Sequence, residues 1–209
     1  MKKRVTKNFP EWVRKPIPDS IQHLEEDQLQ SVLSRFEELA EFRNAPSNAN
    51  ERDKLRAIDW PKPPLIARVL PGGILLMEDE GYYDSSQQVE ELFTKFSSQG
   101  VVFWGIGAEK YGVFQAPFDA VTRRWIKAEL IFSPTCILSL ESDLIMISDE
   151  QLDFSVIGGS PLIINEMEKL FGGAKELKKR LLKAIDDRMI GFGKDDQIWA
   201  KEYLLPWSE

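Results

Sequence analysis

Histidine and cysteine are nearly missing from this chain of 209 residues, which holds one of each, His23 and Cys136. A single cysteine closes no internal disulfide, and Cys136 stands in the apolar run CILSL, where a small buried thiol is the ordinary occupant. A single histidine excludes any multi-histidine metal site. A Ser-His-Asp or Cys-His arrangement would have to be built on His23, which lies just ahead of Glu25, Glu26 and Asp27 near the start of an expected helix. Long apolar runs are missing too, and none approaches the roughly 20 residues that span a bilayer. The basic start MKKRVTK leads into FPEWVRKPIPDS, where a secretory signal would need an apolar stretch, so the expected location is cytoplasmic and no membrane partner is expected. Positive charge is in deficit. With 27 basic against 34 acidic residues the net charge is -7, which repels a phosphate backbone and suits a basic protein partner better than nucleic acid.

What is present is enough for an ordinary core, since 43% of residues are hydrophobic. After prolines 10, 16 and 18, Asp19 or Ser20 is placed to cap a helix running to about Arg43. Leu24, Val32, Leu33, Phe36, Leu39 and Ala40 recur along it at three- and four-residue spacing. NAPSNANERDK and WPKPP then read as a connection, because apolar residues thin out and proline disfavours helix at itself and at the residue before it. Residues 1–64 are therefore expected to form an N-terminal helical extension and connection, and residues 65–209 an α+β body. In that body LIARVL and ILLMED flank Pro71, Gly72 and Gly73 as two strands with a tight turn. Ser85 or Ser86 opens a helix with Val89, Leu92, Phe93 and Phe96 on one face, and Gly100 follows where a helix stops. Strands are expected at 101–106, 111–116, 124–132, 135–140, 144–148 and 153–157, with ESD as a hairpin turn. Ser160, Pro161, Gly172 and Gly173 bracket a helix, AKELKKRLLKAIDDRM supplies another with Leu177, Leu181, Ile185 and Met189 on one stripe, and DDQIWAKEYLLPW a short third helix or an arm. The fold class is α+β: an antiparallel sheet of about six strands covered by helices from the N- and C-terminal parts.

The nearest approach to a cofactor motif is VVFWGIGAEKYGVF, with Gly105, Gly107 and Gly112. A dinucleotide loop needs G-x-G-x-x-G between a strand and a helix, yet Lys110 stands at the third glycine position and the sequence after it reads as a strand. A turn between two strands accounts for these glycines, and no cofactor is expected. Gly158, Gly159 and Ser160 do open a helix, but capping accounts for them without an anion. The carboxylates gather as Glu78, Asp79 and Glu80; as Asp143, Asp149, Glu150 and Asp153; and as Asp186, Asp187, Asp195 and Asp196, each group at a turn or helix end where charge is easily solvated. No catalytic or metal-ligating set is expected among them. KELKKR reads as the solvated face of its helix. Of the six tryptophans, Trp104, Trp125 and Trp199 are expected in the core, and Trp12, Trp60 and Trp207 nearer the ends and connection.

One segment has the composition of an interface. MEDEGYYD places Tyr82 and Tyr83 among the acids Glu78, Asp79, Glu80 and Asp84 beside Gly81, joining broad rigid contact surface to charge that steers a basic partner. These six residues are the candidate partner-binding set. The alternative is that one tyrosine packs on the sheet while the acids favour the N-terminus of the next helix. The turn LPGGILL, the hairpin GIGAEKYGVFQ and the closing helix SPLIINEMEKLF, set behind an N-terminal helix, resemble in arrangement the small cytosolic immunity proteins of bacterial toxin systems, the SMI1/KNR4-like group among them, over residues 65–171. That resemblance implies a non-catalytic protein that binds a toxin domain and blocks it; separately, a monomer or weak homodimer is expected. Two other readings stay open: a carboxylate- or Mg-dependent enzyme with a cleft beside the sheet, and a self-associating scaffold.

Overall fold

The computed structural model describes residues 17–24, 26–42, 58–59, 62, 64–72, 85–105, 113–129, 135–149, 153–190 and 194–208. A two-residue strand β1 (Gln22–His23) precedes helix α1 (Glu26–Leu39), and a short antiparallel pair, β2 (Glu41–Phe42) with β3 (Ile58–Asp59), follows it. Then come β4 (Ile66–Pro71), α2 (Ser86–Phe96), β5 (Val101–Gly105), β6 (Val113–Ala116), α3 (Ala120–Glu129), β7 (Thr135–Leu138), β8 (Ile145–Asp149) and β9 (Phe154–Gly159). Helices α4 (Pro161–Leu170), α5 (Ala174–Asp186) and α6 (Lys194–Trp199) close the chain, α6 running on into a π turn (Ala200–Leu204) and a 3-10 turn (Leu205–Ser208). The main sheet has the order β1-β6-β5-β7-β8-β9-β4, and every neighbouring pair is antiparallel. This is the expected α+β architecture, with six strands of four to six residues and β1 as a short addition at one edge.

Strict alternation of side chains divides the core in two. Ala67, Val69, Val102, Cys136, Leu138, Ile145, Ile147, Phe154 and Val156 pack with Val32, Phe36 and Leu39 of α1 and with Leu181, Ala184 and Ile185 of α5. The intervening residues Leu70, Val101, Phe103, Ile137, Met146 and Ile157 pack with Val89, Leu92 and Phe93 of α2, Trp125 and Ile126 of α3, and Ile163, Ile164 and Met167 of α4. The sheet is thus the middle of three layers, because a period of two sends successive apolar residues to opposite faces. Each fully buried large side chain contributes about 1.5–3 kcal/mol. Helix α5 serves both cores, giving Leu177 to the second while Leu181 faces the first, and it lies with the terminal 3-10 turn against β4. Among the described residues no helix is long and apolar enough to cross a membrane.

Two sequence expectations are corrected. Residues 124–132 were expected as a strand from their aromatic and aliphatic content, yet α3 occupies Ala120–Glu129. Asp119 Oδ1 accepts the Thr122 N–H at 2.7 Å, fixing the first turn, and burial at Thr122, Arg123, Trp125 and Ile126 against exposure at Val121 and Arg124 follows a helical period. The N-terminal helix is shorter than the expected span from residue 19 or 20 to about 43. Its first part instead pairs with β6, Gln22 opposite Gln115 and His23 opposite Phe114, and the Leu24 N–H donates to the Val113 carbonyl. Long-range pairing outweighs local helical preference there, and His23 sits on an edge strand rather than a helix. Helix α4 begins at Pro161 as expected, but the Ser160 side chain makes no capping bond. Its other end is closed by Gly173 N–H to Glu168 O and Gly172 N–H to Lys169 O, with both glycines at positive φ.

Gly100 has a steric reason to lack a side chain. Its φ is +91°, and a Cβ there would meet the Ala116 carbonyl oxygen at 2.7 Å, a backbone atom inside the sheet. Gly100→Ala is expected to cost about 1–3 kcal/mol, read as a lower urea midpoint. A midpoint equal to that of the unsubstituted protein would mean that this close approach does not exist in solution.

Candidate functional site

All six candidate contact residues, Glu78, Asp79, Glu80, Tyr82, Tyr83 and Asp84, lie outside the described residues, as do the expected strand at 74–79 and residues 106–112 of the glycine-rich stretch. The flanks of both segments are described. Val101–Gly105 and Val113–Ala116 are adjacent antiparallel strands, with Trp104 opposite Val113. The glycine-rich stretch therefore joins strand to neighbouring strand, and no helix follows it to receive a pyrophosphate. The acidic segment starts beyond Gly72, whose surroundings form the most polar part of the sheet.

That surrounding is built from the β8–β9 turn. Asp153 holds the left-handed conformation (φ 55°), which aspartate tolerates better than most residues, and its carbonyl accepts the Gly72 N–H at 2.8 Å. Ser155 Oγ donates to the Gly72 carbonyl at 2.9 Å and approaches Ser148 Oγ at 3.3 Å, both serines being fully buried. The backbone at the exit of β4 is thus held on both its donor and its acceptor. Register puts Gly105, Thr135, Ser148 and Ser155 in one row across β5, β7, β8 and β9, ending on Leu70 of β4, so at four of its five positions small and hydroxyl residues replace the large apolar ones found further along the same face.

Two carboxylates belong to the same end of the sheet. Asp149 closes β8 and is 2% exposed, while Asp153 is half-buried. Burial first, and the Asp149 charge second, pushes the Asp153 carboxyl up to about 6. Of the other acids, Asp143 accepts from Arg35 at 2.7 Å, Asp186 from Lys201 at 2.9 Å and Asp187 from Lys183, so each serves a surface ion pair. Among the described residues no group of three or more histidine, cysteine, aspartate or glutamate side chains is arranged to hold a metal ion. Cys136 is fully buried between Trp104 and Ile147 in register, and burial drives its thiol pKa upward, away from the thiolate that reactivity requires.

Sequence reasoning missed the buried charge in the second core. Arg68, in the middle of LIARVL, meets Glu168 Oε1 through Nε at 2.8 Å and the second guanidinium nitrogen at 2.6 Å, and also donates to the Ala67 carbonyl. Arg123, 4% exposed, pairs with Glu90 at 2.8 Å and lies over the Phe118 ring at 5.3 Å, tying α3 to α2. An arginine interrupting an apolar strand was a usable signal; its partner 100 residues away was not. Gly159 also finds a packing explanation rather than an anion-binding one. A Cβ there would lie 2.8 Å from Ile163 Cγ2, so the glycine lets α4 settle on β9. Trp199, Tyr203 and Trp207 follow one another behind Phe154 at centroid separations of 5.7, 5.3 and 5.1 Å, the Trp199–Tyr203 pair stacked and the other two tilted, and hold the C-terminal turns on the first core. No protein-family model matches the chain, and no curated protein or solved structure matches it.

Two measurements check this electrostatic account. A carboxyl with a higher pKa folded than unfolded binds its proton more tightly in the native state. The stability Asp153 contributes is therefore present below about 4 and lost as pH rises through about 6. Asp153→Asn should raise the urea midpoint near about pH 7 and leave it almost unchanged near about pH 4; a lower midpoint at neutral pH would show that the charge is used by a favourable partner. Separately, Arg68→Ala strands Glu168 and should cost about 3–5 kcal/mol, whereas Arg68→Met combined with Glu168→Leu should recover most of that loss. Equal losses in the single and double variants would count against a buried ion pair.

Proposed function

We propose that this chain is a non-enzymatic protein-binding module that offers an acidic, tyrosine-bearing surface to a basic protein partner, and that the partner is a toxin domain which it inhibits. The observation that carries the reading is the position of Asp149 and Asp153. Both belong to the end of the sheet where Gly72 leads into the segment containing Glu78, Asp79, Glu80, Tyr82, Tyr83 and Asp84. In a molecule of net charge -7, acids carried on the segment that leaves this end of the sheet would give a directional field, and such a field accelerates encounter with a cationic surface. Tyrosines among them supply contact area at little cost in side-chain freedom. The likeness of LPGGILL, GIGAEKYGVFQ and SPLIINEMEKLF to immunity proteins favours the same reading and names the kind of partner.

Reversing Glu78, Asp79 and Glu80 together to lysine should slow association with a basic protein recovered by affinity capture on the unsubstituted chain by about tenfold or more, and should flatten the dependence of that rate on salt. Stopped-flow association at low and high ionic strength reads both effects. An association rate that ignores the triple substitution would remove this segment from the interface.

A further inference from the structure

We draw no further inference here: the strongest candidate, the lysine-bearing outer face of α5 at Lys175, Lys179 and Lys183, carries nothing, because Glu176 and Asp187 on the same helix turn back onto its cations and nothing in the structure shows what anion would cover it.

Discussion

Residues Cys136, Ile137 and Leu138 are all fully buried, yet they point alternately to two different cores. A strand in that position must be apolar on both sides, and it forces every neighbour to supply helices above and below. That requirement shapes the rest of the molecule. The outer strands alternate between the same two cores, α1 and α5 close one face, and α2, α3 and α4 close the other. Antiparallel sheets usually leave one face to water, so double coverage means that hardly any sheet residue is free to carry chemistry.

The arginines buried beside this sheet are paired with carboxylates. Arg68 enters the second core with Glu168 from α4, and Arg123 wedges between α2 and α3 with Glu90 and the Phe118 ring as partners. Lys169 and Lys95, one on each helix, hold the Glu166 carboxyl down at about 2 and add a solvent-facing link between α2 and α4. The serines at 148 and 155 answer each other and the Gly72 carbonyl. Polarity rises towards one end of the sheet, where a half-buried aspartate stays difficult to ionise beside a second one.

Periodicity made much of this legible. The helix at 161–170 stood out because an apolar stripe, a proline and paired glycines agreed on its limits, and those at 86–96 and 174–186 by their apolar stripes. The sheet class followed from closely spaced strand signals. Where the reading failed, a local signal competed with a distant one. RWIKAELIF has the aromatic and branched residues of a strand, yet burial over residues 121–126 follows the rhythm of a helix, and the residues before α1 have helical neighbours but pair with β6. The polar end of the sheet was half visible. Asp149 and Asp153 were noticed as acids at a turn, but their burial depends on register between strands, and the hydroxyl row appears only when Thr135, Ser148 and Ser155 are aligned across three strands. The Arg68 partner and the two-sided grip on Gly72 depend on contacts 100 and 83 residues apart, beyond the reach of any local pattern.

Among the described residues β4 is the border strand at one side of the sheet, buried from Ala67 onward with α5 and the last 3-10 turn lying against it, and at the opposite border β1 contributes only two residues. An unshielded border strand is a template on which a second chain can zip through its own amides, the route by which many sheet proteins polymerise. Among the described residues one border packs against helix and the other ends in a two-residue strand, which leaves little bare backbone on which such a ladder could start.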